Sequence, residues 1–189
     1  MSTSALGSGF AEAPFEAARA FRLALDAMSR PGRIVTLAGA SPPEGLSPAA
    51  AILLLTLADG TTPVHLAGTA AVPAVADWLA FHTGVPLAPA EAAVFAVGPW
   101  AALAPFARFP QGDPAYPDRS ATLIAEVPAL RPDGARLTGP GINGTARLSL
   151  PEITFFRANR ARFPLGLDVF LTCGDRLAAI PRSTLVEKA

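Results

Sequence analysis

Of the 15 basic residues in this 189-residue chain only Lys188 is a lysine. That excludes a P-loop, whose lysine reaches the nucleotide phosphates, and it excludes a buried Schiff-base lysine with conventional pyridoxal-phosphate catalysis. A single cysteine, Cys173, allows no intrachain disulfide and no cysteine set for an iron–sulfur cluster. Its context, FLTCGD, reads as the end of a buried strand, where cysteine acts as a small apolar residue. The two histidines, His65 and His82, stand without an H-E-x-x-H or paired cysteines, so no metal is expected. No G-x-S-x-G is present, which removes the hydrolase nucleophile elbow. Charge is scarce, at 16% of residues, and balanced at 15 basic against 15 acidic, leaving no electrostatic footprint for nucleic acid or an anionic membrane. The opening MSTSALGSGFAEAPFEAAR lacks the basic start and apolar core of a signal peptide. The longest uncharged apolar run, between Glu91 and Arg108, is broken by Gly98, Pro99 and Pro105 and falls short of the roughly 20 residues that span a bilayer. A cytoplasmic protein is expected.

What is present is apolar: 51% of the residues are hydrophobic, with 20 prolines and 16 glycines. Such a chain can bury one good core, and its apolar excess is suited to a surface covered by another chain, most simply in a twofold dimer. A GC-rich genome favouring Ala, Arg, Gly and Pro is the alternative source of that composition. Residues 1–14 read as a flexible lead-in and 15–189 as one α/β domain. Phe15, Ala18, Phe21, Leu25 and Met28 recur at helical spacing between Pro14 and Pro31-Gly32. RIVTL reads as a strand. Ser47-Pro48 caps a second helix, AAAILLLTLAD, apolar on nearly all sides and therefore buried. PVHLA is a strand, and a third helix is expected from Thr69 through Trp78 to Gly84. AAVFAVG is a strand, Trp100 begins a helical turn, and FPQGDPAYPDRSA is a loop. TLIAEV and ARLTG are strands, ITFFRANRA is a helix, and LDVFLTCG with RLAAIP forms a hairpin about Gly174-Asp175. Strands alternate with helices early and cluster late, which predicts a layered α-β-α domain on a mixed sheet.

LTGPGING, Leu137 to Gly144, contains a literal G-x-G-x-x-G. In a dinucleotide site the third glycine leads into a helix whose N-terminus meets the pyrophosphate. Here TARLSLPE follows, alternating apolar and polar residues before Pro151, and the only acidic residue near the required distance, Asp168, precedes its strand instead of ending it. The motif reads as a turn whose glycines serve geometry.

His65 lies mid-strand and reads as a packed or surface histidine. His82 ends a helix, where the dipole favours a cation, with a ligand-facing role as the alternative. Arg157, Arg160 and Arg162 in RANRAR lie at helical spacings suited to a phosphate or to a solvated face. Asp168 in FPLGLD stands just before an apolar strand and needs a partner. The candidates are backbone amides of its own turn or an arginine, with Arg182 in IPRST, near the end of the paired strand, favoured by the hairpin; with Ser183 and Thr184 that arginine suits an anion or a subunit contact.

The ordered segments FRLALDAMSRPG, LLLTLADGTTPV, FHTGVP, PDRSATLI, LTGPGI and FPLGLDVFLTCGDRLAAIPRST resemble the PhnH family, the H subunits of the bacterial carbon–phosphorus lyase system, from about Phe15 to Thr184. The family pattern L-x-G-x-G-I needs no third glycine, so Gly144 completes the nucleotide fingerprint by accident. The resemblance implies a fold similar to the large domain of pyridoxal-phosphate transferases, without the cofactor. It implies phosphonate use as a phosphorus source, in a core complex with G, I and J subunits. The G, H and I subunits are linked to displacement of adenine from ATP by a phosphonate, giving ribose 1-phosphonate 5-triphosphate; a radical iron–sulfur subunit later breaks the carbon–phosphorus bond. His82, Thr138, Asp168, Arg182, Ser183 and Thr184 are the expected substrate-binding or interface residues. No catalytic residue and no cofactor are assigned to this chain. The expected role is structural or organising, and the alternative is a subunit with its own nucleotide or phosphonate pocket.

Overall fold

The structure, a computed structural model, describes residues 9–188; most of the expected lead-in, residues 1–8, lies outside the described residues. Helix α1, Ala13–Ser29, begins with a proline in its first turn and ends before Pro31-Gly32. It turns Ala20, Ala24 and Ala27 inward. Three of the large residues at helical spacing do the opposite: Phe15, Phe21 and Leu25 are 76%, 50% and 56% exposed, while Met28 is partly buried against the core. Close approach of α1 to its neighbours selects the alanine stripe for the core and leaves the bulky stripe outside. Strand β1 is shorter than expected, Val35–Thr36. Helix α2, Pro48–Leu57, has Ser47 at its N-cap, whose Oγ accepts from the Ala50 N–H at 3.3 Å, and every residue from Ala49 to Leu54 is buried. That uniform burial bears out the all-round apolar reading.

Strand β2 is Val64–Leu66. The helix expected from Thr69 does not start there. Gly68–Ala70 forms one 3-10 turn, and α3 runs Pro73–Thr83. Pro73 has no N–H to donate to the preceding turn, so it opens a new helix instead of continuing one. Gly84, φ 69°, closes α3 as expected. Then follow β3 (Phe95–Pro99), α4 (Trp100–Leu103), β4 (Thr122–Glu126), β5 (Ala135–Thr138), β6 (Ala146–Leu148), α5 (Ile153–Arg160), β7 (Asp168–Cys173), β8 (Arg176–Ile180) and β9 (Leu185–Glu187).

The main sheet has six strands in the order β1-β8-β7-β4-β3-β2. Strands β2, β3, β4 and β7 are parallel, while β8 and β1 add antiparallel. This bears out the mixed sheet and the β7–β8 hairpin. Alternation along the strands divides the core. Ile124 and Phe170 face α1, α2 and α3, whereas Leu123, Ala125, Val169 and Leu171 face Leu103 of α4 and Phe156 of α5. The late strands do not all join this sheet: β6, β5 and β9 form a second antiparallel sheet on the α5 side, with Leu137, Leu148 and Val186 in its core. No helix among the described residues is long and apolar enough to cross a membrane.

In the stretch that imitates a nucleotide fingerprint, Gly141 (φ 79°) lies so close to α1 that a Cβ there would stand 1.9 Å from the Ser29 carbonyl oxygen. A Cβ on Gly144 would meet nothing within 4 Å. Strand β6 follows, not a helix. The dinucleotide reading is excluded, and the Gly-Pro-Gly turn docks the second sheet onto the end of α1.

Candidate functional site

Asp168 opens β7 and Arg182 follows β8, so the antiparallel hairpin brings them together. One carboxylate oxygen, Oδ1, accepts from the Arg182 backbone N–H at 2.8 Å and from Nε at 3.1 Å; Oδ2 accepts from Nη2 at 2.6 Å. Arg182 Nη1 donates to the Pro117 carbonyl at 2.8 Å, and Nη2 also donates to Ser120 Oγ. The side chains are 26% and 12% exposed. Every nitrogen of the guanidinium is engaged inside the chain, so the pair clamps the hairpin to the loop before β4 and leaves no free fork for an anion.

Thr184 is buried, its N–H donating to the Pro181 carbonyl at 2.9 Å, while its hydroxyl has no hydrogen-bond partner among the described residues. Ser183 packs its carbonyl against Gly139, and Thr138 pairs in register with Leu185. Thus Thr138, Asp168, Arg182, Ser183 and Thr184 lie along one seam between the two sheets. His82 joins a different group. Its ring packs on Trp78 and Phe81 at 4.8 and 4.9 Å and against the Gly9 backbone, with Nε2 buried and unpartnered among the described residues. His65 is tied to the Ala88 carbonyl through Nδ1 at 3.1 Å.

The arginines of RANRAR diverge. Arg157 and Arg160 border a cleft beside Leu185 and Glu187, with Arg160 also over the Phe163 ring, while Arg162 reaches Gln111. The residue of that run with the clearest task is Asn159, which sequence reasoning passed over. Buried, it donates through Nδ2 to the Leu167 carbonyl and accepts at Oδ1 from the Leu167 N–H, both at 2.8 Å. Gly166 makes room, since a Cβ there would stand 2.6 Å from Asn159 Oδ1.

Glu126 was also missed. It ends β4, and its Oε1 accepts from the Ser47 N–H at 2.6 Å, so a carboxylate from the sheet supports the N-terminus of α2. It borders a cleft of about 690 Å³ with Glu44, Leu46, Ser47, Thr69 and Val72. The cleft lies beyond the C-terminal ends of parallel strands, where open α/β sheets bind ligands. TLIAEV signalled a carboxylate at a strand end; only the parallel pairing shows which end of the sheet that is.

The residues from 8 to 187 match the family model described as bacterial phosphonate metabolism protein (PhnH). The chain belongs to the PhnH family. It is 40% identical to the alpha-D-ribose 1-methylphosphonate 5-triphosphate synthase subunit PhnH of Rhizobium meliloti (strain 1021), over 95% of this chain and 94% of the relative. It is 32% identical to HtxG of Stutzerimonas stutzeri, provisionally named as a C-P lyase subunit, over 94% of each. The match spans nearly the whole length of the chain.

Proposed function

We propose that this chain is a cytoplasmic, organising subunit of the carbon–phosphorus lyase system. With partner subunits it supports the ATP-dependent formation of ribose 1-phosphonate 5-triphosphate by displacement of adenine. The naming of one relative as a subunit of the corresponding synthase supports this reading. The observation that carries the noncatalytic role is the internal saturation of Arg182, which is held by Asp168, Pro117 and Ser120. A side chain with all its nitrogens so engaged stabilises a fold or an assembly more readily than it stabilises developing charge on a substrate. The partners are the G, I and J subunits, and the isolated chain pairs as a homodimer. The outward stripe of Phe15, Phe21 and Leu25 on α1 supports such pairing, because soluble monomers rarely leave a run of large apolar side chains uncovered. The likeness to the large domain of pyridoxal-phosphate transferases is supported by the parallel run β2-β3-β4-β7, and an exposed Lys188 is unsuited to a Schiff base.

Copurification from cells expressing the whole operon tests the reading, with Asp168→Asn beside the wild type. The variant is expected to lower melting temperature and complex yield, with adenine release falling in proportion to assembled complex. Normal stability and assembly with lost turnover would make Asp168 part of a substrate site. The reading of a subunit with its own pocket is favoured by one observation, the Glu126 cleft, and not by convergence of His82 with Arg182.

A further inference from the structure

Strand β9 is an edge of the second sheet, paired with β5 on one side only. Among the described residues no backbone–backbone hydrogen bond joins Leu185, Val186 or Glu187 to anything but β5. An edge of the main sheet is treated differently: β2 is closed by the segment after α3, through a parallel bridge between Val64 and Leu87. An open edge leaves N–H and C=O groups unpaired, and native sheets commonly protect one with charge. Here that charge is cancelled, because Glu187 is held by Arg136 at 2.6 Å across the β5–β9 pair. A cleft of about 410 Å³ adjoins β9, lined by its three residues and by Arg157, Arg160 and Ala161 at the end of α5. Neither arginine of the cleft has a carboxylate partner. Arg157 is exposed and makes no side-chain hydrogen bond or ion pair among the described residues. Arg160 lies over the Phe163 ring at 4.9 Å, and its Nε is buried with no partner among the described residues. A helix C-terminus favours cations, which accounts for arginines in the last turn but leaves their forks unfilled. A buried donor without an acceptor is costly, so an incoming acceptor is favoured.

A free strand edge selects an extended backbone, two unfilled guanidinium groups select carboxylates, and the half-exposed Leu185 side chain selects an apolar residue among them. Side chains two positions apart on an added strand point the same way, so one face of it can carry both carboxylates. We propose that the cleft between β9 and α5 docks an extended acidic segment of another protein, which adds to β9 as a further strand of the second sheet and sets its carboxylates on Arg157 and Arg160. A second copy of this chain does not supply that segment. Its closest acidic residues, Glu12 and Glu16, stand at the start of α1, where the Glu16 carboxylate accepts from the Glu12 N–H at 2.8 Å. Docking of this kind does not depend on the organising role proposed above, since it uses neither Asp168 nor Arg182.

The test titrates the full chain with the synthetic peptide acetyl-SEVEVES-amide. Beside it stand the lysine counterpart acetyl-SKVKVKS-amide, the fully N-methylated acidic peptide, which keeps the charges but cannot join a ladder, and inorganic phosphate. The acidic peptide is expected to bind about tenfold more tightly than either altered peptide and to slow hydrogen exchange at Leu185–Glu187. Arg157→Glu should remove most of that preference with an unchanged melting temperature, because its side chain has no partner to lose. Arg160→Gln is the second variant and should weaken binding of the acidic peptide in the same direction. Equal binding of the acidic and lysine peptides overturns the proposal. So do equal binding of the N-methylated peptide, protection that spares β9, a preference intact in both variants, and absence of binding by the acidic peptide. Displacement of the peptide by phosphate at similar concentration would mark a small-anion site and overturns strand addition as well.

Discussion

Asp168 receives three hydrogen bonds from one residue, Arg182, and that concentration decides what a substitution there does. Asp168→Asn keeps an acceptor for the backbone N–H but removes the charge opposite a guanidinium that is itself mostly buried. A loss of about 2 kcal/mol is expected, below the 3–5 kcal/mol of a fully buried pair because Asp168 is partly exposed. Thermal or urea unfolding measures it. Asn159→Ala should cost at least as much, on the order of 2–3 kcal/mol, since both backbone groups of Leu167 lose their only side-chain partner in a buried position. Its effect on binding of small ligands is expected to be nil. An Asn159→Ala protein with wild-type unfolding would show that FPLGLD holds its own path without the carboxamide.

At the scale of elements, the glycines of LTGPGING differ in kind. Gly141→Ala would drive a methyl into the Ser29 carbonyl, so the second sheet must shift away from the end of α1. Gly144→Ala meets open space and bears only the cost of a left-handed backbone, about 1 kcal/mol. Unfolding midpoints should therefore rank wild type, then Gly144→Ala, then Gly141→Ala well below; a reversed order would overturn the docking role of the turn. The loop after α2 offers a pH test. Hydrogen bonds from the Thr61 hydroxyl, the Thr61 N–H and the Thr62 hydroxyl hold the Asp59 carboxyl below its ordinary value. A folded-state value lower than the unfolded one adds stability above the unfolded value and loses it as pH falls through the folded one. The melting difference between wild type and Asp59→Ala should thus be present at neutral pH and shrink in acid, below about 3.8.

For the whole molecule, the exposed stripe of α1 and the uniformly buried α2 distribute the apolar composition between a surface and a core. Light scattering of the isolated chain should give a dimer. Phe21→Glu with Leu25→Glu should convert it to a monomer with little change in intrinsic stability, because both side chains are at least half exposed. A wild-type monomer at working concentration would reserve that stripe for other subunits. A dimer unchanged by the double substitution would place the interface elsewhere on the surface.

Several features were legible in the residues alone because they depend on local chemistry. Ser47-Pro48 starts α2, Gly84 ends α3, and two apolar runs meeting at Gly174-Asp175 make the β7–β8 hairpin; each needs only neighbours a few positions away. The single Lys188 bounded the chemistry in the same way, since no fold can supply a residue type that the chain lacks. The Asp168–Arg182 partnership followed from the hairpin, but the Pro117 and Ser120 contacts that saturate the arginine did not, because they come from a loop distant in sequence. Spacing identified the apolar stripe of α1 without its direction: only packing showed that the alanines face inward, since close contact between α1, α2 and the sheet leaves no room for phenylalanine. The second sheet was illegible for a related reason. Three-residue strands such as LVE carry too little pattern, and their pairing is decided by distant backbone. Glu126 needed most from the tertiary structure. A glutamate after an apolar strand is ordinary; only parallel pairing places it at the C-terminal edge of the sheet, against the start of a helix 79 positions earlier in the chain.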